Sequence, residues 1–227
     1  MICRLFGSGR NRVFIDINTQ KDYFLSDGKA CIRNHRRVLG NIRRLMAWVR
    51  KNNIPVISTL DIHSADNGSS WCLEGTDGQK KISYTSLYKA VEFQADGLTD
   101  IPEDLFSRYC QALFPIRCTD PFEEPRIERL LSEMGTDEFV LAGGCAEGTV
   151  KAMALGLLQR GKHVMVVSDA VGSRDLKEGK LAFAKIKAKG AKLVDTKEIA
   201  GVSSLRKVGT CGCSKCAGHS EKAHVKI

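Results

Sequence analysis

The chain has 227 residues, 43% hydrophobic and 27% charged, with a formal net charge of +9. That length and balance suit one large α/β domain able to bury a sizeable core. No apolar run approaches the ~18 residues needed to cross a bilayer, so a membrane-embedded function is excluded.

Residues 1–11 hold Arg4 and Arg10 without an apolar signal core, and are expected to form a basic extension of an intracellular, cytoplasmic protein. Six of the nine cysteines are scattered singly, the pattern of reduced thiols, and three cluster in the last seventeen residues. Arg12 to Asn18 reads as a strand, with Val13, Ile15 and Ile17 alternating. From Ile32 to Asn52, Val38, Ile42, Leu45, Met46 and Val49 recur at helical spacing and predict a core-facing stripe. The same stretch carries Arg33, Arg36, Arg37, Arg43, Arg44 and Arg50 and no acidic residue. Such charges repel one another without i,i+4 carboxylates. They read either as a solvated helix face or as a docking face for RNA or an acidic protein.

Pro55 to Leu60 predicts a second strand, and the polar, Gly-rich Asp61 to Thr85 a long functional loop. Further strands are expected near Ala112 to Ile116, Glu138 to Ala142, His163 to Ser168 and Lys192 to Asp195. Helices are expected over Pro125 to Met134, after the Gly143-Gly144 break as far as Gly161, and over Leu176 to Lys189. Alternating strands and helices predict a three-layer α/β/α domain over residues 12–200, with a parallel sheet of about six strands. Ligands of such sheets bind beyond the C-terminal strand ends.

Residues 201–227 form a basic tail in which Cys211, Cys213, Cys216 and His219 could wrap one zinc ion. The alternative is a disordered tail with incidental cysteines.

Four segments are similar to the isochorismatase-like cysteine hydrolases, the superfamily that includes nicotinamidases. In Asn18-Thr-Gln20-Lys-Asp22-Tyr23, Gln20, Asp22 and Tyr23 match a family motif whose catalytic Asp falls on Asn18. Thr59-Leu-Asp61-Ile-His63 is similar to the Asp and His that help hold a divalent metal such as zinc in nicotinamidase-like members. Trp71 stands where a further His is expected, and Glu74 to Gln79 resembles the loop that follows. In Ile116-Arg117 to Phe122, the family's Lys falls on Ile116. In Gly143-Gly-Cys145-Ala-Glu-Gly-Thr149, the nucleophilic Cys falls on Thr149. The resemblance also implies a cis Gly144–Cys145 bond, an oxyanion hole made by the N–H groups of Cys145 and Thr149, and self-association into a homo-oligomer.

All three triad positions depart together, and Asn cannot take a thiol proton. Two readings follow. In one the chain is a catalytically impaired scaffold or binding subunit, for RNA or a larger assembly. In the other it is a divergent hydrolase of a C–N or vinyl-ether bond in a small molecule. There Asp16, on the same strand face as Asn18, Arg117, leaving the strand opposite Ile116, and Cys145 would act as substitutes.

Overall fold

Val13, Phe14, Ile15 and Ile17 are all buried, although they alternate in direction. A strand apolar on both faces requires cover on both sides, as in a parallel sheet between helical layers. The computed structural model describes residues 12–136 and 138–202. Its strands are β1 (Arg12–Ile17), β2 (Val56–Asp61), β3 (Ala90–Glu92), β4 (Gln111–Ile116), β5 (Glu138–Gly143), β6 (His163–Val171) and β7 (Lys192–Val194). They form one seven-stranded sheet in the order β3-β4-β2-β1-β5-β6-β7, and every ladder is parallel.

The helices are α1 (Lys21–Phe24), α2 (His35–Asn52), α3 (Leu105–Arg108), α4 (Pro125–Glu133), α5 (Lys151–Gln159), α6 (Leu176–Ala188) and α7 (Thr196–Ala200). One apolar cluster joins Ile15, Phe114, Leu130, Phe139 and Met153 beneath α4 and α5. The other joins Phe14, Ile42, Leu45, Met46 and Val140 beneath α2. On α2 the buried residues are Val38, Ile42, Leu45, Met46 and Val49, the predicted stripe. Each contributes about 2 kcal/mol of gross burial energy. The helix starts at His35 rather than Ile32, because Asn34 turns left-handed at φ 59°. It ends where Asn53, also left-handed, donates its N–H to the Val49 carbonyl.

The seventh strand, β3, was not expected. It is a three-residue edge whose Ala90 and Glu92 are exposed, so no apolar alternation marks it. The sheet order reverses direction between β1 and β5, and the crevice beyond their C-terminal ends is the binding position of such folds.

Candidate active site at the strand ends

Asn18 leaves β1 in the left-handed region, φ 47°. That turn carries its side chain away from the α2 face. Its Oδ1 accepts from Thr59 Oγ1 at 2.5 Å, and its Nδ2 donates to Thr149 Oγ1 at 3.2 Å. Two of the three triad-equivalent positions are therefore in direct contact, as an amide and a hydroxyl. Ile116, the third, is 1% exposed within the apolar cluster beneath α4 and α5.

The turn that presents Thr149 depends on Gly143 at φ 125°, where a Cβ would fall 2.0 Å from the Ile17 carbonyl oxygen. No other residue fits so close an approach. The Gly144–Cys145 peptide is cis, as the resemblance implied. Ala146–Val150 then leads into α5 through a kink at Gly148, whose φ −110° and ψ −116° are not helical.

The proposed substitutes sit differently from expectation. Asp16 does not share a face with the Asn18 side chain, because the left-handed turn at Asn18 breaks the strand alternation. Asp16 instead accepts from Lys81, and from Ser58 Oγ and Thr19 Oγ1 at 3.1 Å each. Lys81 also donates to Thr19 Oγ1 at 2.6 Å, and its side chain is 7% exposed. Burial holds the Lys81 ammonium below the usual lysine range, with Asp16 opposing. Nothing in the local sequence marked Lys81, since its partner lies 65 residues away.

Arg117 was expected to point away from the site. It lines the same cavity as Thr149, because the chain bends directly after β4 at residues 117–120. Cys145 also lines that cavity. Burial, with the Glu147 carboxylate beside it, pushes its thiol up to about 12. It therefore rests as a thiol rather than a thiolate.

The cavity measures ≈ 440 Å³ and is assembled from the ends of five strands. Tyr23 enters after β1, Asp61 and His63 at the end of β2, Arg117 after β4, Cys145 to Thr149 after β5, and Arg174 after β6. Trp71 forms one wall. Its Nε1 donates to Tyr23 Oη at 3.1 Å, the His63 ring meets it edge-on at 5.6 Å, and the Arg174 guanidinium lies 4.7 Å over its ring centroid. Glu147 accepts three hydrogen bonds: from Ser173 Oγ and the Arg174 N–H at 2.8 Å each, and from the Asp175 N–H at 3.2 Å. Arg174 and Glu147 escaped the sequence reading, although their places just past strand ends were a usable signal.

The implied divalent metal does not fit these residues. Asp61 Oδ2 accepts from the Tyr23 hydroxyl and contacts His63 Nε2 at 3.1 Å. Among the described residues no group of three His, Cys, Asp or Glu could hold an ion. Two ligands, one oxygen of which already takes a phenol, do not make a tetrahedral site. Cys211, Cys213, Cys216 and His219 lie outside the described residues.

The basic helix divides into three parts. Arg33, Arg36 and Arg37 are exposed at its start. Arg43 and Arg44 are half-buried, and Arg44 donates to the Gly201 carbonyl at 2.8 Å. Arg50, at the far end, donates to the Tyr84 carbonyl at 2.6 Å. Among the described residues none of these arginines, nor Arg117 or Arg174, forms an ion pair with a carboxylate. No helix among the described residues is long and apolar enough to cross a membrane.

A parallel sheet of this order, with a glycine-led cis turn opening a helix at the crevice, defines an isochorismatase-like α/β/α fold of the hydrolase type. The chain belongs to the isochorismatase family: the Isochorismatase domain model matches residues 12–198. It is 26% identical over 198 residues to the "Secreted isochorismatase effector Isc1" of Verticillium dahliae, spanning 85% of this chain and 92% of that protein. Its fold is shared with nicotinamidase PncA from Bacillus subtilis (TM-score 0.66, 18% identity, 82% of this chain and 99% of that one). The MAR1 ribonuclease from Caenorhabditis elegans has the same fold (TM-score 0.60, 19% identity, 93% of this chain and 95% of that one).

Proposed function

We propose that this isochorismatase-family chain has left thiolate hydrolysis behind and acts as a binding subunit, with RNA as its partner. The observation that carries the first half is the 3.2 Å bond from Asn18 Nδ2 to Thr149 Oγ1. An amide donates there where proton abstraction needs a carboxylate, and a hydroxyl accepts where the chemistry needs a thiolate. The buried Ile116 supplies no cation. Asp16 is engaged by Lys81, and Cys145 is held protonated. Loss of members of a coupled triad costs several orders of magnitude.

The RNA half is supported by the unpaired arginines at the start of α2 and by the similarity to a ribonuclease of the same fold. The Verticillium relative is named as secreted. The five described cysteines here are free thiols, which favours an intracellular setting.

A second reading, a divergent hydrolase of a small molecule, is favoured by one observation: the crevice is an open cavity of ≈ 440 Å³ rather than a filled one. Ammonia release from an amide panel and isochorismate turnover decide between them, run on wild type, Cys145→Ala and Thr149→Ala. Background rates in all three, together with RNA affinity that falls steeply with salt, are expected. Turnover abolished by either substitution would restore the hydrolase reading.

A further inference from the structure

The arginines at the start of α2 and the crevice are one continuous surface. Arg33 forms an antiparallel bridge with Ser173, its N–H donating to the Ser173 carbonyl at 2.8 Å. Its Nε donates to the Arg174 carbonyl at 3.4 Å. Arg174 in turn roofs Trp71 and lines the cavity together with Arg117. Arg36 and Arg37, on the first turn of α2 one helical turn past Arg33, are also exposed.

We infer that this track guides a single RNA strand into the crevice, where one nucleotide unit docks with its phosphate between Arg117 and Arg174 and its base against the Arg174–Trp71 stack. Three observations carry this. First, neither guanidinium has a carboxylate partner among the described residues, so both keep donors for a phosphate. Two carboxylates line the same cavity, and both already have partners: Glu147 accepts from the Ser173 hydroxyl and two backbone N–H groups, and Asp61 accepts from the Tyr23 hydroxyl beside His63. Second, the Arg174 guanidinium lies over the Trp71 indole at 4.7 Å, and a guanidinium on an aromatic ring can share that platform with a further planar ring. Third, ≈ 440 Å³ accommodates one unstacked nucleotide but not a duplex. The path presupposes the RNA-binding reading above and adds to it a place, a strandedness and a docked unit.

The chain has two tryptophans, Trp48 and Trp71, so Trp48→Phe leaves Trp71 as the sole emitter. Fluorescence of that protein is titrated with a uridine mononucleotide, with unstructured poly-uridine and with a blunt RNA duplex. Polymer binding is followed in parallel by anisotropy. The expected result is saturable Trp71 quenching by the mononucleotide and the single strand and none by the duplex. Arg117→Ala and Arg174→Ala, each checked for an unchanged Tm, should each weaken both by about tenfold or more. Arg36→Glu with Arg37→Glu should weaken the polymer and lower its salt slope while leaving mononucleotide quenching intact. Polymer binding by anisotropy without Trp71 quenching, or insensitive to Arg117 and Arg174, would overturn the docked-nucleotide path and leave the RNA reading standing. Absence of polymer binding would overturn both, whatever the mononucleotide does.

Discussion

Asn18 and Thr149, 131 residues apart in the chain, share a hydrogen bond of 3.2 Å at the point where the family's base and nucleophile would meet. The Asn18 amide also accepts from Thr59, so it is fixed at both ends. Asn18→Ala should leave two buried hydroxyls short of a partner and cost about 1–3 kcal/mol, read by urea denaturation. Hydrolysis of the amide panel should stay at background in Asn18→Asp, because Thr149 gains a base but no cation and remains an alcohol. Turnover appearing in that single variant would contradict the loss of chemistry.

Lys81 and Asp16 form a buried pair inside a polar cluster, and Asp16 Oδ1 already lacks a partner among the described residues. Lys81→Met should strand the Asp16 carboxylate and destabilise the fold by about 3–5 kcal/mol. Lys81→Met with Asp16→Asn should be milder than Lys81→Met alone. Equal losses in the two variants would mean that packing rather than charge dominates.

Cys145 offers a pH test. Its thiol is raised to about 12 by burial and by Glu147, so a higher pKa means less thiolate at any given pH. At pH 8 the reactive fraction is on the order of 10⁻⁴. Iodoacetamide labelling read by mass spectrometry should rise about tenfold per pH unit between pH 7 and 10 without a plateau. The exposed Cys110 and Cys118 should label first. A plateau for Cys145 near neutrality would revive it as a nucleophile.

Asp61 is built as a hydrogen-bond acceptor for Tyr23 and His63 rather than as a metal ligand. Zinc or EDTA should therefore shift the Tm of wild type and His63→Ala by the same amount, whatever the tail does. Tyr23→Phe should cost about 1–3 kcal/mol, since it leaves the buried Asp61 oxygen and the Trp71 indole N–H without their phenol. A zinc shift that His63→Ala removes would argue for a metal site after all.

Much of the layered architecture was legible because burial leaves a period in the sequence. The apolar stripe of α2 and the apolar alternation of β1 are local patterns, and Gly143 stands at a turn that tolerates no side chain. The site was legible only as positions. Sequence matching placed Asn18, Ile116 and Thr149, and with them the departure from thiolate chemistry. What it could not supply were directions and distant partners.

Asp16 appeared to share a face with Asn18 until a left-handed residue broke the alternation. Arg117 appeared to point away until the bend after β4 turned it into the crevice. β3 escaped because a three-residue exposed edge carries no apolar period. Periodicity along the chain thus marked an α/β/α domain, and the resemblance to isochorismatase-like hydrolases marked the altered groups at its crevice. The tertiary structure alone decided which groups meet, because Lys81 with Asp16, Arg174 with Trp71 and Arg33 with Ser173 are contacts between segments far apart in sequence. Such contacts depend on where the sheet brings the loops together, and they leave no period along the chain.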